Sequence, residues 1–198
     1  MAEVMEIRES SIADPGPLGL AGFALTTFIL SMSNAQLVPA ALGALFVPLG
    51  LFYGGLAQLL AGMWEFKKNN TFGATAFTTY GSFWIGLGAL VILESVKILN
   101  FGASAHAAVG LYLVGFTIFN TYMWIGTFRI NNALVAVFTF LEITFILLDF
   151  AEFGFISSVP GGMCGLITAA CAWYASAAGV LNPLYGRAVL PVGSRKVR

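Results

Sequence analysis

"LFYGGLAQLLAGMWEFKKNNTFGATAFTTYGSFW", residues 51–84, decides how this chain is to be read. Two apolar segments rich in glycine, alanine and aromatic residues flank one short polar break, "EFKKNN" at 65–70. About 20 mostly apolar residues are what an α-helix needs to cross a bilayer. Two such runs with both lysines in the break between them read as a helical hairpin that crosses a membrane and returns.

The same pattern extends in both directions. Six stretches qualify as spans, at 17–36, 41–65, 72–95, 107–128, 132–151 and 160–181. Pro39, "EFKKNN", "ESVKILNFGASAH", "FRINN" and "FGFISSVP" separate them. The expected fold is an all-α membrane protein, with six transmembrane helices in a compact bundle. The bundle occupies 13–186, between an N-terminal tail at 1–12 and a basic C-terminal tail at 187–198. Composition agrees: 59% of the residues are hydrophobic and 9% are charged, against about a quarter charged in soluble domains. "MAEVMEIRES" lacks the basic start and apolar core of a cleavable signal, so the first span is expected to stay.

Lysine and arginine set the orientation. Arg8, Lys67, Lys68, Arg129, Arg187, Arg195, Lys196 and Arg198 fall on one side of such a bundle, and only Lys97 on the other. The positive-inside rule then puts both termini in the cytoplasm, with the bundle in the cell membrane.

Several functions are disfavoured. The formal net charge is zero, and no basic cluster is interleaved with aromatics, so no nucleic-acid partner is expected. Cys164 and Cys171 are seven residues apart, about 10 Å of helical rise, too far for a disulfide. With His106 the only histidine, no zinc set can be assembled. Phosphate-loop, dinucleotide and HExxH motifs are absent, as is any nucleophile–base pair. Neither an enzyme nor a cofactor is expected.

Polar residues in the spans carry more information, because hydrocarbon makes them costly and they turn inward. Span 1 has Phe23, Thr26, Thr27 and Asn34 on one stripe, and span 2 has Gln58 among glycines. Span 3 carries Thr75, Thr78 and Ser82, with Thr79 and Tyr80 beside them; span 4 carries Thr117, Asn120 and Thr121. Any single hydroxyl can be spent on its own helix. Four helices each offering uncharged donors nevertheless suggest a polar interior path, suited to a small ion or neutral solute that binds weakly and moves on. Span 5 adds Glu142 within "FTFLEITFILLDF", with Asp149 seven residues later and Glu152 at the membrane edge. A lone carboxylate in hydrocarbon needs a proton or a partner. Glu142 is therefore a candidate proton-linked group near the path, the alternative being a structural group at a helix or subunit contact.

"DPG" at 14–16 and "NPL" at 182–184 invite comparison with aquaporin half-helices, but both lie on the cytoplasmic side and cannot meet at mid-membrane. "DPGPLGLAGFALTT" at 14–27, the 51–84 segment and "LNPLYGRAVLPVG" at 181–193 instead resemble the acetate uptake transporter family. That family holds bacterial acetate/succinate permeases and fungal ammonia/acetate export proteins. The resemblance runs from residue 13 to 193. It implies a pore in each protomer, a homohexamer in membrane lipid, and passage of acetate or succinate by a channel or with coupled protons. It also implies a hydrophobic constriction, which falls on Phe23, Tyr80 and Leu141. Asp14 and Gly16 depart from the family's usual Asn and Ala, and Glu142 and Gly179 also differ from the expected pattern.

The leading expectation is transport of acetate and related small carboxylates. An ammonium pathway is the alternative within transport, weakened by the absence of paired histidines. A non-transporting sensor or assembly subunit is the alternative from another class, since small-residue spans also serve helix contacts.

Overall fold

The computed structural model describes residues 12–195. Arg8, Lys196 and Arg198, used above for orientation, and nearly all of the N-terminal tail lie outside the described residues. Among those described, six helical segments are long and apolar enough to cross a membrane: Gly16–Asn34, Ala40–Lys67, Thr71–Ser95, Gly102–Thr127, Asn132–Glu152 and Val159–Tyr185. Each expected span has its counterpart.

Local chemistry explains where the helices begin. Helix α1 (Gly16–Asn34) opens behind Pro15, with Pro17 in its first turn, where a missing N–H costs nothing. Asp14 Oδ1 accepts from the Gly16 N–H at 3.0 Å, which satisfies one of the orphan donors of the helix start. Helix α4 (Thr71–Ser95) is capped by Asn70, whose side chain accepts from the Gly73 N–H. Helix α6 (Asn132–Glu152) is capped in the same way by Asn131. Helix α5 (Ala105–Thr127) follows a 3-10 turn. Helix α7 (Val159–Tyr185) stops at Gly186 in the left-handed region, φ 61°, the conformation glycine adopts without cost.

The second span is not one regular helix. A 3-10 turn at Ala40–Leu45 leads into α2 (Phe46–Leu51), then a π-helical turn at Phe52–Ala57, then α3 (Gln58–Lys67). The wide turn coincides with Gly54 and Gly55, and α1 comes in against it. A Cβ at Gly22 would sit 2.6 Å from the Tyr53 carbonyl oxygen, so only glycine permits this approach. π turns insert a residue into the helical register, which changes the face that Gln58 and the rest of α3 present.

Helix α1 packs chiefly on α7, α7 on α6, α6 on α5, and α3 on α4. Between them lies an aromatic core that includes Phe23, Tyr80, Phe83, Phe119, Phe138 and Phe145. Residues 187–195 do not trail away. Asn182 exchanges two 2.9 Å hydrogen bonds with the Leu190 backbone. The N–H groups of Asn132 and Ala133 donate to Gly193 and Val192. The Arg195 guanidinium donates to Asn132 Oδ1 and to the Phe128 carbonyl. The chain end is thus a strap across the α5–α6 turn and the N-terminus of α6.

Candidate functional site

Two cavities approach each other inside the bundle. The first, about 260 Å³, lies at the Lys68 end; Asp14, Gln58, Glu65, Lys68 and Asn70 supply its polar wall. The second, about 190 Å³, lies at the Asn34 end; Thr27, Ser31, Asn34, Trp84 and Glu152 supply its polar wall. Phe23 and Leu141 line both. Tyr80 lines the first. A single layer of side chains therefore separates the two spaces.

That layer is built from three helices. Phe23 of α1, Tyr80 of α4 and Leu141 of α6 are all at most 5% exposed. The Phe23 and Tyr80 rings lie 5.8 Å apart, tilted by 55°. Tyr80 also meets Phe119 and Phe138 edge-on, arrangements that aromatic quadrupoles favour. Rings locked this way resist rotation, so the wall is stiff rather than loosely filled.

The Tyr80 hydroxyl is turned into the bundle. It donates to Asn120 Oδ1 at 2.5 Å. Asn120 Nδ2 donates to Glu142 Oε2 at 2.6 Å, and the Thr121 hydroxyl donates to Glu142 Oε1 at 2.7 Å. Glu142 lines neither cavity. Its carboxylate stands behind the wall, not in the path, because position 142 follows Leu141 around the helix by about 100°. Asp149, one cluster along, accepts from the Thr117 hydroxyl at 2.7 Å.

The mouth of the first cavity carries charge. Lys68 Nζ lies 2.9 Å from Asp14 Oδ1. Glu65, 1% exposed, accepts from Asn70 Nδ2 at 2.8 Å. Sequence reasoning missed Glu65 and Asn70 as lining groups. An acidic residue inside the apolar segment "AGMWEF" was the available signal.

The other expected path residues divide. Thr27 and Asn34 line the second cavity and Gln58 the first. Gln58 is 1% exposed, and its Oε1 has no hydrogen-bond partner among the described residues; the Thr27 hydroxyl and the Trp84 indole N–H are likewise unpartnered there. Thr26, Thr75, Thr78, Thr79, Asn120 and Thr121 line neither cavity. Thr26 spends its hydroxyl on the Gly22 carbonyl and packs against Gly54. Thr78 packs against Gly62, between α3 and α4. For these threonines the stripe marks a helix contact rather than a lining.

Six spanning helices with two cavities closed against each other by an apolar wall define a membrane protein of the channel or transporter type. The chain belongs to the GPR1/FUN34/yaaH family, whose model matches residues 1–193. It is 39% identical over 186 residues to the succinate-acetate/proton symporter SatP of Escherichia coli (strain K12), covering 93% of this chain and 97% of that one. It is 36% identical over 204 residues to acetate permease A of Emericella nidulans, covering 94% and 67%. It is 41% identical over 175 residues to ammonia transport outward protein 2 of Saccharomyces cerevisiae, covering 85% and 61%. The solved structure of the bacterial acetate channel SatP superposes with a TM-score of 0.86 at 38% identity, covering 92% of this chain and all of that one.

Proposed function

We propose that this protein carries acetate, and with it succinate and other small carboxylates, across the cell membrane through the passage formed by the two cavities. One observation carries the reading: Phe23 and Leu141 line both cavities, so the passage is interrupted by one apolar layer only. Acetate has a methyl end and a carboxylate end. An aromatic and aliphatic wall suits the methyl group, while Gln58, Thr27, Asn34 and Trp84 offer polar contacts on either side. The names of the bacterial and Emericella relatives point to the same substrates.

In this reading Phe23, Tyr80 and Leu141 form the constriction and Glu142 links passage to protons. The protomers assemble as a homohexamer in the lipid bilayer, with both termini in the cytoplasm. No bound cofactor is required, because moving a carboxylate past an apolar wall breaks no covalent bond.

Purified protein in proteoliposomes tests the reading. Uptake of labelled acetate above that of protein-free vesicles is expected, with labelled methylammonium moving much more slowly. The reverse preference would favour an ammonium pathway, and no flux of either would favour a non-transporting role.

A further inference from the structure

Glu142 lines neither cavity, yet it ends a buried chain of hydrogen bonds that begins at the constriction. We propose that Glu142 is a positioning residue for the constriction: through Asn120 it fixes the direction in which Tyr80 donates its hydroxyl, and so holds the Tyr80 ring across the passage. The proposal rests on the reading of Phe23, Tyr80 and Leu141 as a constriction.

The side-chain amide of Asn120 has one acceptor and two donor hydrogens. All are engaged. Oδ1 receives the Tyr80 hydroxyl, and Nδ2 donates to Glu142 Oε2 and, at 3.4 Å, to the Phe138 carbonyl. Which way such an amide faces follows from its partners. Both Glu142 oxygens accept, one from Asn120 and one from Thr121, so Glu142 draws the NH₂ group toward α6. The amide oxygen is then left facing α4, and Tyr80 can only donate to it. Asn120 is fully buried, so no water competes for these bonds. Leaving a buried amide donor unmatched is costly, which makes the orientation strongly preferred.

The consequence reaches the passage through the ring. Tyr80 is wedged between Phe23, Phe119 and Phe138. Its hydroxyl is anchored on α5 by the Asn120 bond; without that bond, a buried and unpartnered hydroxyl would swing toward the cavity that Tyr80 lines. The Asn120 bond opposes that swing, keeping the apolar ring rather than the hydroxyl in the wall. Glu142→Leu removes the acceptor and frees the amide to turn. Glu142→Gln keeps it: the Gln carbonyl accepts from Asn120, and its NH₂ faces Thr121, whose hydroxyl then donates to the Thr117 carbonyl already within 2.9 Å.

Two readouts on full-length protein test this. In difference infrared spectra, the tyrosine C–O band that Tyr80→Phe abolishes should shift in Glu142→Leu and keep its position in Glu142→Gln. In proteoliposomes, Glu142→Leu should lower the preference for acetate over benzoate about 10-fold, within the range for residues sharing one hydrogen-bond network, and Glu142→Gln should retain it. In the Tyr80→Phe background, Glu142→Leu should change the preference no further. An unmoved Tyr80 band, or additive effects of the two substitutions, would overturn the proposal. Should Glu142→Leu fail to fold, Asn120→Leu cuts the same chain at its middle and carries the same expectations. The infrared result stands apart from transport: a wild type that moves no carboxylate, with the band shifted in Glu142→Leu, would sink the transport reading and not the coupling of Glu142 to Tyr80.

Discussion

Phe23 and Tyr80 meet with ring centroids 5.8 Å apart, and the tyrosine hydroxyl points away from the cavities to Asn120. In the proposed passage a substrate meets ring carbons, with Leu141 in the same wall. Substrate size should be judged there.

Leu141→Ala and Tyr80→Ala are expected to widen the gate and admit larger acids. One methylene in an apolar pocket discriminates by roughly 10- to 200-fold, so removing most of the Leu141 side chain should change the acetate-to-benzoate uptake ratio by about 10-fold or more. Competition uptake in proteoliposomes reads it. Unchanged discrimination in both variants would remove Leu141 and Tyr80 from the selective layer.

Glu142→Gln is expected to retain the constriction but change the pH profile of acetate uptake, since the substitution removes an ionisable group from behind the wall. Asp149, seven residues along on α6 and bonded to Thr117, and Tyr80, bonded to Asn120, both remain in this variant. Uptake rates across a pH series, at fixed acetate concentration, check it. A profile superimposable on the wild type would leave Glu142 as a positioning group only.

At the mouth, Lys68 is held by Asp14 at 2.9 Å, and Asp14 is half exposed. Exposed ion pairs contribute roughly 0–1 kcal/mol, so Asp14→Asn should barely alter thermal stability. It should instead release the Lys68 charge toward incoming anions and raise succinate uptake relative to acetate by several-fold. The gain should fade in high salt, where the screening length drops to about 3 Å at 1 M. A salt-independent change would point away from Lys68.

The C-terminal strap makes a different kind of claim. Arg195 holds Asn132 at the start of α6 and the Phe128 carbonyl at the end of α5. A hydrogen bond to a charged group contributes about 1.5–3 kcal/mol, reduced at an exposed site. Arg195→Ala should lower the unfolding temperature in detergent by a few degrees, while Arg187→Ala, which has no side-chain bond among the described residues, should not. Equal stability of the two variants would mean that the strap does not brace α6.

The six spans were legible because bilayer thickness imposes a length and an apolar run that no soluble segment copies. Other features were not legible. "FYGGLA" gave no sign of a π turn, since that turn depends on α1 arriving at Tyr53. "RAVLPVGSR" reads as a basic tail, and only the fold brings Asn132 and Asn182 within its reach. Thr26 and Thr78 had the stripe spacing of a path but face Gly54 and Gly62. Glu142 adjoins Leu141 in sequence, yet helical rotation puts its carboxylate behind the wall with Asn120. Spacing tells which residues share a face; it does not tell which neighbour that face meets.

The most direct test of the central claim is labelled-acetate uptake into proteoliposomes at neutral pH, with and without an imposed proton gradient, beside protein-free vesicles. Acetate entry well above the protein-free rate, with a selectivity that Leu141→Ala relaxes, is the expected result. Folded wild-type protein that moves acetate no faster than empty vesicles, under either condition, would contradict it.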